Sequence, residues 1–174
     1  MSSTVWLILT IVGAAGSAVC LYGFYGDKKR GYPALKALDS QFELPDMRRR
    51  YTPEELFDCL DKLGAEGQKL LCRLWRLDSA FALFLALVLA VVSHNLAVVR
   101  WLRWAMYGLA ALRSLLDLLE NALLLRVCAA YPSHRRTGAA KAASRCTAAK
   151  WAAAVVWVVG MFGALLVRAY ILGK

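Results

Sequence analysis

Four long apolar stretches alternate with polar, basic segments along the chain. A helix needs about 20 apolar residues to cross the ~30 Å hydrocarbon core of a bilayer. Three of the stretches hold no acidic residue, whereas the third in chain order contains several charges. The four predicted spans are residues 5–26, 79–99, 104–130 and 151–172. The pattern therefore predicts an all-α fold, in which residues 1–174 form one integral membrane four-helix bundle.

The segment between the first two spans, residues 27–78, is predicted to lie at the membrane surface. Its first half, residues 27–51, contains two prolines and two basic triplets and is predicted to be extended. The triplets are expected to meet anionic phospholipid head groups. They are formed by Lys28, Lys29 and Arg30 and by Arg48, Arg49 and Arg50.

Two short amphipathic helices are predicted in the second half of this segment. Thr52 is a typical N-cap, Pro53 suits the first helical position and Glu55 completes a capping box. An apolar stripe follows, and Gly64 is predicted to end the helix. The stripe consists of Leu56, Phe57, Leu60 and Leu63. A second amphipathic stretch runs from residue 66 to 78, and we expect both helices to lie on the membrane or against a partner.

Lysine and arginine are distributed unevenly around the spans. Sixteen of them lie in residues 27–78 and 131–150, on one side of the predicted membrane. The other side holds only Arg100, Arg103 and Lys174. The positive-inside rule therefore predicts that both termini face away from the cytoplasm, or away from the matrix of an organelle.

Composition agrees with a membrane protein, since 60% of the residues are hydrophobic and only 20% are charged. The net charge of +10 would in a soluble protein suggest a nucleic acid partner. Here the basic residues follow the membrane topology, and residues 27–78 also hold ten acids. We therefore expect no nucleic acid partner. The first span follows four residues without a basic group, which predicts a retained span rather than a cleaved signal.

The third span carries the most informative polar cluster. Arg113, Asp117 and Glu120 share one helical face, with Asn121 beside them. Charges at bilayer depth are costly, so we expect them to face the bundle interior and to find partners. Arg113 can neutralise Asp117 within the helix. Glu120 would then need another partner, for which Arg126, His94, a lipid, another subunit and a proton are the candidates.

Two interpretations of this cluster remain open. It is either a proton or ion relay built on Asp117 and Glu120, or a buried polar contact that fixes helix pairing. The sequence shows no internal repeat and no paired helix breaks of the kind common in transporters, which favours the structural interpretation. Small residues in the first and fourth spans also favour close helix packing. The pairs concerned are Gly13 with Ser17 and Gly160 with Ala164.

Candidate chemistry is otherwise sparse. The five cysteines lack C-x-x-C spacing, and Cys128, His134 and Cys146 make a poor set of metal ligands. The chain has no phosphate-binding loop, dinucleotide fingerprint, zinc protease motif or nucleophile elbow. We therefore predict no metal, no cofactor and no catalytic residue, and a membrane enzyme ranks as the third hypothesis.

Several short motifs resemble an uncharacterised family of small four-span membrane proteins found in bacteria and eukaryotes. The resemblance covers about residues 45–130. It rests on Leu63-Gly64-Ala65-Glu66-Gly67 and on Asp117-Leu118-Leu119-Glu120-Asn121, with weaker matches at 51–56 and 77–81. Ala82 stands where the family pattern would place proline. The resemblance implies a four-span fold and no particular activity.

The leading functional prediction is a non-catalytic accessory subunit of a larger membrane complex, with a structural or assembly role. Its expected partners are other membrane subunits and anionic phospholipids. The Ala- and Arg-rich character without a presequence suggests the mitochondrial inner membrane, with a respiratory-chain complex as the first candidate. The alternative is a small proton-coupled carrier or channel that uses Asp117 and Glu120.

Overall fold

The computed structural model describes residues 3–172, which are almost entirely helical and contain no β-strand. The five α-helices are α1 Ser3–Leu21, α2 Tyr32–Leu38, α3 Pro53–Leu96, α4 Arg100–Ala130 and α5 Thr137–Leu172. A π-helical turn, Tyr22–Gly26, extends α1, and a 3₁₀ turn, Pro45–Met47, lies between α2 and α3. Lys174, predicted on the less basic side, is outside the described residues.

Three helical segments are long and apolar enough to cross a membrane: Ser3–Gly26, Pro53–Leu96 and Thr137–Ile171. Few of the side chains in their apolar stretches are buried within the protein, as expected for helices that face lipid. The chain is therefore a membrane protein. Helix α4 packs lengthwise against α3 and α5 but carries charged residues along its length.

The long helices run alternately up and down. Trp6 at the start of α1 stacks on His94 near the end of α3, with ring centroids 3.9 Å apart. Arg168 near the end of α5 donates a hydrogen bond to the Asn95 carbonyl. The start of α1 and the end of α5 thus lie beside the α3–α4 turn. Residues 27–52 and the α4–α5 turn occupy the opposite end.

The buried apolar residues form two separate cores. The smaller core lies towards the α3–α4 turn, among the apolar halves of the long helices, and includes Met106, Ala110 and Trp157. The larger core lies at the basic end and includes Leu60 and Trp75. The protein thus has a compact helical part beyond the membrane-crossing segments.

The start of α3 has the predicted capping box, because the Glu55 amide donates to Thr52 Oγ1 and the Thr52 amide donates to Glu55 Oε2. The predicted break is also present. Gly64 has φ 61° and ψ −170°, in a region that side chains with a Cβ rarely adopt. The helix resumes directly and continues to Leu96.

The expectation that the two amphipathic helices lie on the membrane or on a partner is wrong. The apolar stripe of the first is buried in the larger core of the same chain, where Phe57 stacks on Tyr131. The second, residues 66–78, is part of α3 and buries Leu71, Leu74 and Trp75 in the same core. The end of α4 and the start of α5 project beyond the apolar halves of these helices and bury the first stripe.

The expectation of an extended segment over residues 27–51 is also wrong. This segment folds back over the basic end of the bundle through α2 and the 3₁₀ turn. It buries Leu35, Phe42 and Leu44 in the larger core, and it leaves the basic triplets on the outside. Burial of these apolar side chains explains why the segment folds despite its high charge.

Close packing of α1 on α3 depends on glycine. A Cβ on Gly13 would lie 3.1–3.3 Å from atoms of α3, and a Cβ on Gly16 would lie 2.3–2.5 Å from ring atoms of Phe84. Of the predicted pair Gly13 and Ser17, Gly13 therefore lies at the contact between α1 and α3. In the predicted pair on α5, Gly160 approaches Met106 and Ala164 is buried.

We expect Gly16→Ala to destabilise the protein by about 1–3 kcal/mol, because the Phe84 ring must leave its position. Gly163→Ala is the matched control, since a Cβ there meets nothing within 4 Å. It should be neutral or stabilise by up to about 1 kcal/mol. Unfolding of both variants in detergent micelles measures the difference. Equal stabilities would show that α1 does not rest on α3 at Gly16.

Candidate functional site

A layer of buried charged side chains separates the two cores. It lies where two apolar runs begin, since Asp78 directly precedes the run 79–99 and Lys150 directly precedes the run 151–172. Helix α4 contributes Arg113, Asp117 and Glu120 to the same layer. The layer therefore lies near the boundary between the apolar bundle and its basic end.

Lys150 of α5 is the centre of the layer. Its Nζ lies 2.6 Å from Asp117 Oδ1 and 2.7 Å from Glu120 Oε2. Arg113 Nη2 lies 3.4 Å from the other Asp117 oxygen, Oδ2. These two acids and two bases balance in charge, and only Arg113 is more than slightly exposed. The arrangement is an electrostatic clamp between α4 and α5.

Hydrogen bonds extend the clamp along both helices. Thr147, one turn before Lys150 on α5, donates its hydroxyl to Glu120 and also contacts the Ala143 carbonyl. Asn121 Nδ2 donates to Asp78 Oδ2 at 2.9 Å, which connects α4 to α3. The layer thus joins three helices through side chains that lie on one face of each.

The four residues predicted as a polar cluster lie together as expected, and Arg113 pairs with Asp117 within the helix. The partner of Glu120 is none of those considered from the sequence. It is Lys150, which was counted among the basic loop residues, together with Thr147. Asp78 was not predicted to join the cluster either.

A second contact fastens the folded-back segment to α5. Ser144 Oγ donates to the Tyr51 carbonyl at 2.6 Å and accepts from the Tyr51 amide at 3.2 Å. Burial, with a contribution from the Glu120 carboxylate, raises the pKa of the Tyr51 phenol, which therefore stays neutral. This contact holds residues 45–51 against the charged layer.

A cavity of about 210 Å³ opens beside the layer, between α1 and α5. Its inner wall includes the buried residues Asp46, Asp117 and Lys150, together with Arg113 and Asp78. Its outer residues are each at least 39% exposed. These outer residues are Leu21, Tyr25, Met47 and Trp151. The cavity therefore connects the charged layer with the outside of the bundle.

The six basic residues predicted to bind lipid head groups are all exposed at the basic end. Asp27 accepts hydrogen bonds from the amides of Lys29 and Arg30, which fixes the backbone of the first triplet. In the second triplet, Arg48 pairs with Glu43 at 3.2 Å. Their contact with phospholipid stays a prediction.

Within residues 3–172, no three side chains of the histidine, cysteine or carboxylate type come together in a group that could hold a metal ion. The five cysteines, all in the described range, are free thiols. Cys128 contacts the Gln68 carbonyl, 3.7 Å from its Sγ, in the larger core.

Comparisons with protein-family models, with curated proteins and with solved structures find no match to this chain. The resemblance drawn from the short sequence motifs therefore stays a prediction.

Proposed function

We propose that this chain is a non-catalytic accessory subunit of a larger membrane complex, in which it has a structural or assembly role. The observation that carries the proposal is the contact of one ammonium, Lys150, with both carboxylates of α4. A proton relay needs carboxylates that exchange partners with water or substrate. Here Asp117 and Glu120 share a buried cation, an arrangement suited to holding helices together.

The pattern of exposure on α4 supports four spans rather than three. The charged and polar residues between positions 113 and 121 point inwards, towards α3 and α5, whereas Arg100 and Arg126 are exposed towards the two ends of the helix. Its opposite face is an exposed apolar stripe that follows helical periodicity. The stripe consists of Trp101, Trp104, Leu112, Leu115 and Leu119. A helix with this arrangement can cross a bilayer, because the charges in its middle face the neighbouring helices rather than lipid.

The basic end of the bundle supports the proposed orientation. Both basic triplets and the α4–α5 turn lie at that end, opposite the start of α1 and the end of α5. By the positive-inside rule, the basic end faces the cytoplasm or the matrix. The mitochondrial inner membrane and a respiratory-chain complex remain predictions from the sequence.

We propose that the subunit joins its complex through the outer face of helix α1. This helix packs against α3, and between Ser3 and Leu21 it buries only Gly13 and Cys20. Exposed Leu7, Ile8 and Ile11 form part of its outer face. This face can be covered by a neighbouring chain without disturbing the charged layer.

Purification from native membranes in a mild detergent tests the proposal. We expect an assembly much larger than the 19.2 kDa chain, with the same partner chains in constant proportion. A photo-crosslinker at Ile11 should link to one of these partners, while one at exposed Leu166 of α5 serves as a control for random lipid-phase collisions. Recovery of the monomer alone would rule out the accessory-subunit function.

The second candidate is a small proton-coupled carrier or channel. The observation that favours it is the cavity beside the layer, whose wall includes Asp117. Reconstituted vesicles with an imposed pH gradient provide the test. If the protein is such a carrier, the Glu120→Gln variant should lose the proton flux of the wild type. Equal flux from the wild type and the variant would rule out the carrier or channel function.

A further inference from the structure

We propose that the cavity between α1 and α5 binds the ammonium head group of a membrane lipid, with the primary amine held by Asp46 and the acyl chains lying outside along α5. This proposal goes beyond the structural role above and does not depend on a partner subunit. The cavity itself contains no residue of the exposed basic triplets, which would attract anionic lipids.

Asp46 is the first observation behind the proposal. It belongs to the 3₁₀ turn of the folded-back segment, is 4% exposed and lines the cavity. Its Oδ1 receives no hydrogen bond of good geometry, and among the described side chains the donor beside the carboxyl is the buried indole N–H of Trp75. A buried carboxylate oxygen without a good hydrogen bond is costly, so a ligand that donates hydrogen bonds would be stabilised here.

The charge balance of the surroundings indicates a cation. The charged layer and the cavity wall together contain Asp46, Asp78, Asp117 and Glu120, against Arg113 and Lys150. Lys150 is already shared by Asp117 and Glu120. Burial raises the pKa of the Asp46 carboxyl, and the Lys150 ammonium, the Asp46 amide and the Trp75 indole N–H oppose this increase. A second ammonium beside Asp46 would further stabilise its charged form.

The outer residues of the cavity suit a lipid rather than a soluble amine. Tyr25 and Trp151 stand at the mouth, and Phe24 and Phe81 line the interior, so aromatic rings surround the approach to the carboxylates. Aromatic faces attract ammonium groups, and tyrosine and tryptophan favour the head-group depth of a bilayer. The cavity also lies at the level where the apolar runs begin.

An adjoining groove provides a path for an acyl chain. It shares Met47 and Trp151 with the cavity and continues along α5 over Ala152, Val155 and Val156. Arg49 of the second basic triplet also lines it, at the basic end. The groove has a volume of about 790 Å³ and a mostly apolar surface. Two guanidinium groups line this path and are the candidate donors to a lipid phosphate: Arg113 in the cavity wall and Arg49 in the groove.

Native mass spectrometry of delipidated protein tests the proposal with three lipids that have identical acyl chains. These are phosphatidylethanolamine, its N-acetylated derivative, which lacks the ammonium, and phosphatidylglycerol. We expect phosphatidylethanolamine to be retained roughly tenfold more than either of the others, as one charged hydrogen bond of this kind allows. Equal retention of phosphatidylethanolamine and its N-acetylated derivative would overturn the proposal.

Variants locate the site. Asp46→Asn should abolish the preference for the free amine, whereas Asp58→Asn, which changes an exposed acid outside the cavity, should retain it. A preference that persists in Asp46→Asn would overturn the proposed site. Met47→Trp changes an exposed residue at the mouth, so the fold should be kept while retention of phosphatidylethanolamine falls severalfold. Unchanged retention in Met47→Trp would likewise place the lipid elsewhere.

The source of the amine is tested by competition. Ethanolamine phosphate has the same ammonium and phosphate as the lipid head group but no acyl chains. In excess, it should fail to displace phosphatidylethanolamine from the wild-type protein. Displacement by ethanolamine phosphate would show that a soluble amine is sufficient and would overturn the assignment to a lipid.

Discussion

Replacing Lys150 with methionine should lower the free energy of unfolding by about 3–5 kcal/mol, the largest effect expected of any single substitution in this protein. The ammonium lies 2.6 Å from Asp117 and 2.7 Å from Glu120, and neither carboxylate is exposed. Without Lys150, Arg113 remains as the partner of Asp117, and Glu120 is left as a buried charge without a cation. Unfolding in detergent micelles, followed by circular dichroism, measures the loss.

Two further variants distinguish the effect of removing the buried charge of Lys150 from the effect of replacing any lysine on this helix. Lys141→Met changes an exposed lysine on the same helix and should leave stability within about 0.5 kcal/mol. The double variant Lys150→Met with Glu120→Gln removes one charge of each sign and keeps the Arg113–Asp117 pair, so it should recover much of the stability. If Lys150→Met were as stable as Lys141→Met, the clamp would not hold the helices together.

Leu60→Ala should destabilise the protein by about 2–5 kcal/mol, because its side chain is fully buried in the larger core. The control is Leu38→Ala, in which the replaced side chain is 45% exposed on α2, and it should cost less than about 1 kcal/mol. Urea unfolding of both variants in the same detergent compares them. A small effect of Leu60→Ala would restore the idea that this stripe lies on a membrane or a partner.

Local signals in the sequence predicted the start of α3 correctly. The capping box needs only Thr52, Pro53 and Glu55 in order, and the break needs only Gly64, so four residues and their spacing were sufficient. What this helix packs against was not predicted, because an apolar stripe looks the same whether it faces lipid, a partner or the chain itself. The end of α4 and the start of α5, which cover it, are distant in sequence.

The partner of Glu120 was missed for a different reason. The fourth span was predicted to begin at residue 151, where the apolar run begins, which placed Lys150 in a loop. Helix α5 instead begins at Thr137. The alanine-rich stretch 139–149 has high helix propensity and was the available signal. Reading it as helix would have put Thr147 and Lys150 one turn apart on one face.

The burial of Asp46 could not be predicted from the sequence. Asp46 lies between Pro45 and Met47 in a charged segment that was predicted to be extended, and no neighbouring residue in the sequence indicates that it is buried. Its burial results from the contact of Tyr51 with Ser144 and from Leu44 and Phe42 in the larger core. Contacts between residues this far apart in the chain depend on the tertiary fold.

The electrostatic clamp also has a consequence for the order of biosynthesis. During translation, α4 emerges with Asp117 and Glu120 before Lys150 has been made. Until α5 follows, α4 would enter the bilayer with Glu120 unneutralised, which opposes insertion. We therefore expect α4 and α5 to enter the membrane together as a helical hairpin, and a ribosome stalled before residue 150 to leave α4 outside the bilayer.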